Sequence, residues 1–299
     1  MTVENSVPAV GRTTVGLAGL GYWGPNLARN FDDLAELTWL CDLSPDLLDQ
    51  FGARYPGART TSRFEDLLED DSVEAVVVAT LAEERNLVLL PGHLLLYHPA
   101  VAKLKEMIES GELGDVLYLY GNRQNLGQIR KDENALWSLG VHDLSVILHL
   151  IGEEPSEVWA RGEAYHNEGV EDIVFCYLRF PSGVVAHMHL SWLDPHKKRE
   201  MTVVGKNKMA VFDDMDLERK ITVYDKGTEQ RAESYGEWRT RTGDIYIPKI
   251  PNDEPLRLEC RHFLSLVAGD GDPTVAARDG AAVVRVLEQL QHSLERAPA

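Results

Sequence analysis

Thr14-Val15-Gly16-Leu17-Ala18-Gly19-Leu20-Gly21-Tyr22-Trp23-Gly24-Pro25 is the stretch that decides how the first third of this chain folds. Thr14 to Leu20 is a short apolar run ending in glycines, which reads as a buried parallel strand. A helical pattern follows, with Leu27, Ala28, Phe31 and Leu34 on one face. Between strand and helix lies a G-x-G-x-x-G. Gly19 permits the tight turn, Gly21 lets the backbone approach a pyrophosphate, and Gly24 lets the helix pack closely on the strand. Free N–H groups at the helix start then face the phosphates. Gly19, Gly21, Tyr22, Trp23 and Gly24 are therefore the candidate cofactor-binding turn.

Outward from this turn the alternation continues. Leu37 to Cys41 reads as a second strand and ends in Asp42, 18 residues after Gly24. An acidic side chain there can accept both ribose hydroxyls of NAD and repels a 2′-phosphate, so NAD is favoured over NADP. A competing reading is that Asp42 only caps a helix starting near Pro45. Leu47 to Tyr55 reads as a helix, Thr60 and Thr61 precede a short helix from Phe64 to Glu69, and Val73 to Ala79 is the most apolar strand. This β-α-β-α-β order predicts a parallel sheet built by crossovers, a Rossmann-type α/β domain.

After Thr80 the pattern breaks. The next strand-like run is Leu87 to Leu90, and only Leu81 to Asn86 (LAEERN) separates the two. A parallel crossover needs about 10–12 residues with its helix. Either the two runs are not parallel neighbours or a segment is absent, so the sheet is expected to be shortened after Thr80, with 81–85 forming at most a helical turn.

The later chain reads differently. Pro99 to Ser110 is a predicted helix, turning through Ser110-Gly111-Glu112-Leu113-Gly114 into a strand at Val116 to Tyr120. Further strands are predicted at Ser156 to Tyr165, Asp172 to Phe180, Val184 to Trp192, Met201 to Val204, Met209 to Phe212 and Ile221 to Tyr224. Leu256 to Ala268 and Ala276 to Leu294 close the chain as helices. The alternating apolar and polar positions from Val184 to Trp192 suit an open, mostly antiparallel sheet in an α+β domain. The expected domains are 1–98, binding the dinucleotide, and 99–299, binding substrate.

Composition narrows the function classes. The chain has 299 residues, 44% hydrophobic, which supports about two cored domains. Thirty Lys and Arg against 48 Asp and Glu give a net charge of −18. That balance argues against a general nucleic-acid binder and against docking on an anionic membrane. Cys41, Cys176 and Cys260 are sparse and form no C-x-x-C pair, as expected of a reduced, cytoplasmic protein. The first dozen residues lack the basic and apolar regions of a signal peptide, and the apolar stretch from Leu87 to Tyr97 is too short to span a bilayer. His187 with His189, and His142 with His149, complete no recognisable ligand set, so no metal is expected.

GLGYWG, the Asp42 strand end, VVVAT, GHLLLYHPAV, SGELGDV and LWSLGVHDL, in that order, resemble the Gfo/Idh/MocA oxidoreductases over nearly the whole chain. The resemblance implies NAD(P)-dependent chemistry on sugars, inositols or sugar nucleotides, with Thr80 in a turn that touches the cofactor. It implies that His142 is the active-site histidine, near the carbon that gives up hydride; the competing reading is a core histidine bonded to a carbonyl. Ser138 stands where many relatives carry an Asp four residues before that His, and Asp143 is then a structural or orienting carboxylate. Arg123-Gln124-Asn125-Leu126-Gly127, Arg130 and Trp137 look most like the sugar-nucleotide branch, such as the UDP-N-acetylglucosaminuronate 3-dehydrogenases. Arg123 and Arg130 suit a carboxylate or diphosphate, or are ordinary surface arginines. His93 and Tyr97 line the cleft by resemblance, or serve in packing. The family uses the outer face of the second sheet for self-association, which implies a homodimer or homotetramer. Its Glu-Lys-Pro, whose lysine sits beside the nicotinamide, occurs nowhere in this sequence; a segment of roughly 30–40 residues is expected to be missing after Thr80.

Overall fold

The computed structural model describes residues 12–78, 88, 90–230 and 238–296. Contacts divide the chain into two units, Met1–Leu90 with Leu256–Ala276, and Pro91–Pro255 with Ala277–Ala299. The chain therefore returns to its first unit near the end, a re-entry that a division at residue 98 does not contain.

The first unit opens with β1 (Thr14–Ala18), α1 (Gly24–Leu34), β2 (Glu36–Cys41), α2 (Pro45–Arg54), β3 (Arg59–Thr61), α3 (Glu65–Leu68) and β4 (Ala75–Val78). Its sheet order is β3-β2-β1-β4, with every pair parallel. The central strand is the most buried, Val15 and Leu17 being fully enclosed, and α1 lays Ala28 and Phe31 inward. A central parallel strand has both faces covered, which is why β1 reads as an unbroken apolar run.

β3 is a strand that the pattern at Thr60 and Thr61 does not announce, because three mostly exposed residues carry no apolar period. It is held by pairing of Trp39 with Arg59, whose guanidinium lies 4.2 Å from the Trp39 ring centroid. The run at Leu87–Leu90 is not a strand at its described positions, Val88 and Leu90. Thr80 and the interval 81–86 lie outside the described residues.

The second unit starts with a 3-10 turn at Leu94–Tyr97 and α4 (Pro99–Glu109), then β5 (Val116–Leu126), a π turn at Leu136–Gly140 and α5 (Val141–Ile151). The remaining strands are β6 (Glu157–Glu163), β7 (Ile173–Arg179), β8 (Val185–Ser191), β9 (Leu193–Gly205), β10 (Met209–Asp213), β11 (Ile221–Gln230) and β12 (Trp238–Tyr246). They form one sheet in the order β12-β11-β10-β9-β5-β8-β7-β6, antiparallel except for β5 beside β8. Two helices follow, α6 (Pro255–Val267) and α7 (Pro273–Glu295). Arg257 of α6 pairs with Asp33, and Phe263 meets the edge of Phe31, both within the first unit. The second unit's core joins Leu104, Leu119, Leu144, Ile147 and Leu190 to Val286 and Leu290 of α7.

Four strands exceed what hydrophobic alternation indicates: β5 runs on to Leu126 and β11 to Gln230, beyond the expected Tyr120 and Tyr224, and β9 and β12 go further still. β9 starts at Leu193, eight residues before Met201, through the charged run Asp194 to Glu200. Lys198 pairs with Gln124 and Arg199 with Arg123, so backbone pairing with β5 holds a segment whose side chains face outward. β12 is exposed along most of its length and sits at the sheet edge, where burial leaves no periodic signature.

Candidate functional site

In the first unit, Gly19 closes β1 with φ at +96°, a conformation that L side chains rarely adopt. Its N–H donates to Cys41 O at 2.9 Å, which pins the turn to the end of β2. A Cβ on Gly24 would lie 2.9 Å from Gly19 O, a backbone atom, so only glycine allows helix and turn this close. A Cβ on Gly21 would meet nothing within 4 Å. The glycine predicted to admit a ligand thus faces open space, and the glycine predicted to allow packing is tightly packed. Trp23 stands at the α1 N-cap, and no side chain caps the helix there. Tyr22 is 90% exposed, with its ring 5.7 Å from that of Trp23.

Asp42 Oδ2 accepts from Leu20 N–H at 2.7 Å, and its Oδ1 accepts from Ser44 N–H at 2.8 Å. It thus ties the glycine turn to the loop entering α2; Ser44, not Asp42, is the N-cap of that helix, and no side chain caps it. Each oxygen retains a second lone pair, so these bonds still leave acceptors for ribose hydroxyls. The described residues of this turn fit a dinucleotide: a φ-positive glycine, an open glycine, an uncapped helix start and a carboxylate at the β2 end.

The second unit gathers its titratable groups around the start of α5. His142 is half-buried in the first turn of α5. Burial, then the Arg123 and Arg199 charges, push its imidazole down to about 4, with His93 adding to this and Asp214 opposing it. It is therefore neutral near pH 7 and able to accept a proton. Beside it, Asp143 is buried and takes Nε of Arg123 at 2.8 Å and Nη2 at 2.7 Å, both on Oδ1. Burial raises the Asp143 carboxyl, and Arg123 works against that rise. Asp143 Oδ2 faces Gly121, where a Cβ would lie 2.9 Å away.

The remaining sequence candidates fall around this cluster or away from it. Arg123 is itself buried, so it is a partner of Asp143 and not an exposed anchor. His93 precedes the 3-10 turn and is lowered by burial, with Asp279 opposing. Tyr97 ends that turn. His98, at the N-cap of α4, accepts from Ala100 N–H at 3.1 Å and rests on Phe212 at 5.0 Å. Asn125 folds over Gly127, whose Cβ would lie 2.5 Å from Asn125 Nδ2. Arg130 pairs with Glu133 at 2.7 Å and stays 47% exposed. Trp137 Nε1 donates to Gln291 of α7 at 3.2 Å, so its indole edge is tied to the core. The sequence gives no warning of Arg199 and Asp214. The first hides in a charge run that reads as loop, and the second in an Asp-Asp turn after β10.

Comparison with known proteins agrees with this architecture. Residues 101–211 match the GFO/IDH/MocA C-terminal domain. The chain is 28% identical over 225 residues to a UDP-N-acetylglucosamine 3-dehydrogenase of Acidithiobacillus ferrooxidans, covering 73% of this chain and 64% of that one. It is 24% identical over 333 residues to inositol 2-dehydrogenase 2 of Paenarthrobacter aurescens, covering 94% and 95%. GenD2 from gentamicin A biosynthesis, solved in complex with NAD, shares the fold at a TM-score of 0.78 and 20% identity, over 99% of this chain and 98% of that one. The chain spans only 59% to 64% of the length of the first curated relatives it matches. Among the described residues no helix is long and apolar enough to cross a membrane.

Proposed function

We propose that this chain is an NAD-dependent oxidoreductase that moves hydride between the nicotinamide and a secondary-hydroxyl carbon of a sugar or sugar nucleotide. The observation that carries it is the place of His142 in the first turn of α5, next in the chain to Asp143 and its buried pair with Arg123. Gly19, Gly21, Tyr22, Trp23, Gly24, Asp42 and Thr80 hold NAD in this account, and Asp42 selects it over NADP. NAD, when bound, supplies the hydride acceptor. His142 takes the hydroxyl proton, and Arg123 fixes Asp143 so that the α5 start keeps its place. His93, Tyr97, Asn125, Arg130 and Trp137 contact the sugar.

Self-association is proposed through the second unit's sheet. Trp159, Tyr177, His187, Tyr120, Thr202 and Val211 lie in register across one face, and Tyr120 stacks on His187 at 5.1 Å. A homodimer or homotetramer by sedimentation would fit; a monomer at micromolar concentration would not. Cytoplasmic residence fits Cys41 and Cys176, which are buried and unbridged.

A second reading is a catalytically impaired dinucleotide- or sugar-binding remnant. Its support is the alignment to the inositol dehydrogenase: 94% of 299 residues is about 281, so about 50 of 333 aligned positions have no counterpart here. Glu-Lys-Pro occurs nowhere in the sequence, and loss of a positioned acid–base group costs about 10²–10⁴ in rate. Inserting a helix–strand–helix segment after Thr80 separates the readings. Activity only in the lengthened chain favours the remnant; equal NADH production with and without the insert favours an active enzyme as it stands.

A further inference from the structure

Arg123 of β5 and Arg199 of β9 are direct cross-strand partners. Like charges in that position repel, so each needs a compensating group. The two are compensated very differently. Arg123 has a side chain only 8% exposed and spends two N–H groups on Asp143. Arg199 is 43% exposed, and its contact with Asp214 is 3.5 Å, at the edge of hydrogen-bond length. Asp214 is shared besides with Lys220 Nζ at 3.9 Å and His98 Nε2 at 3.8 Å. Three cations, Arg123, Arg199 and Lys220, thus face two carboxylates, Asp143 and Asp214, in these linked pairs. The small cavity that Arg123 and Arg199 line with Asp143, Leu95, Met201 and Phe212 holds about 10 Å³, room for one water and no more. A ligand group would therefore meet Arg199 on its exposed side.

We infer that Arg199 is an anion anchor beside His142, holding a carboxylate or phosphate oxygen pair of the substrate, so that the substrate class is an acidic or phosphorylated sugar. The inference rests on His142 being the proton acceptor of the proposed reaction. A planar guanidinium with N–H groups to spare grips such an oxygen pair bidentately. Arg123 behind it is locked, so it adds positive potential without competing for the ligand. An anion held there would also offset the two arginine charges at His142. Its imidazole would then bind a proton more readily once substrate is in place, which suits a base that must be neutral before binding and basic after it.

The test uses the full chain without NAD. D-glucuronate, glucose 6-phosphate and D-glucose are titrated in turn by calorimetry, with Arg199→Gln and Arg199→Lys alongside. At least one charged sugar is expected to bind about tenfold more tightly than glucose, and the preference should shrink with added salt. The tighter of the two names the anion as carboxylate or phosphate. Arg199→Gln should abolish the preference, and Arg199→Lys should keep part of it. In the wild type the His142 ring resonance should titrate at higher pH with the charged sugar present, with Arg123, Arg199, Asp143, Asp214 and His93 as its charged or titratable neighbours. Equal binding of charged and neutral sugars by the wild type, no binding of any of the three, or a preference untouched by Arg199→Gln would overturn the inference. An anion preference without NADH production would instead count against the oxidoreductase proposal alone.

Discussion

The glycine turn of the first unit and the His142 cluster of the second are both candidate sites, but they are built on different length scales. The turn is local: its geometry follows from three glycines within six residues and one carboxylate at the next strand end. The cluster is assembled from the segment before α4, from β5, α5 and β9, and from the turn after β10. What the difference teaches is where each site is vulnerable. A backbone turn fails when a side chain is added, whereas a cluster of charges fails when one is removed.

The largest expected effect breaks the cluster. His142→Gln should lower the rate of hydride transfer by about 10²–10⁴, as expected for loss of a positioned proton acceptor, while NAD binding measured by calorimetry stays intact. Asp143→Ala comes next. It strands the buried Arg123 charge and should cost about 3–5 kcal/mol of stability in denaturant unfolding. An effect below about 1 kcal/mol would mean that Arg123 finds water or a new partner, and the pair would lose its structural role.

The turn should respond in two distinct ways. Gly24→Val forces a side chain against the Gly19 carbonyl and should destabilise the first unit by about 1–3 kcal/mol. Gly21→Val meets open space, so stability should hold while NAD affinity falls. If the two variants behave alike, the division between a packing glycine and a ligand glycine is wrong.

The two units should also part company with pH. Burial raises the Glu259 carboxyl of α6 to about 7, so between about 4.5 and 7 the folded state holds a proton that the unfolded state has released. Stability from that group therefore falls as pH rises through this window. His142 runs the other way. With its imidazole lowered from 6.5 to about 4, the unfolded state binds the extra proton, and stability is lost as pH falls from 6.5 toward 4. Burial lowers His93 and His98 too, in the same direction. Hydrogen exchange followed from pH 7 to pH 5 should show protection rising near Glu259 and falling near His142. Parallel changes in both places would contradict the burial of one or the other. The smallest effect belongs to Arg130→Ala: its exposed pair with Glu133 should be worth under about 1 kcal/mol.

Legibility in the sequence follows the same division. The parallel first sheet was readable because β1 and β4 are apolar runs and the glycine spacing is a local backbone requirement. β3 was not, since three exposed residues carry no period. In the second unit β7 and β8 announce themselves by alternation, whereas β12 and the start of β9 are held by backbone pairing beneath polar side chains. The place of His142 near a helix start is readable from the apolar period that follows it. For Arg123 the sequence suits an anion partner or a surface arginine, because nothing in the local sequence says that Asp143, 20 residues on, will take its N–H groups. Arg199 and Asp214 were invisible, because cross-strand register depends on pairing between distant segments.

The central claim is that His142 accepts the proton in an NAD-dependent oxidation. The most direct measurement is NADH absorbance from the full chain mixed with NAD and, in turn, UDP-N-acetylglucosamine, its uronate and myo-inositol, beside His142→Gln. The account predicts absorbance above a blank with at least one of these for the wild type, and a rate reduced by about 10²–10⁴ in the variant. Equal rates in the two proteins, or no NADH from the wild type with any of the three, would contradict it.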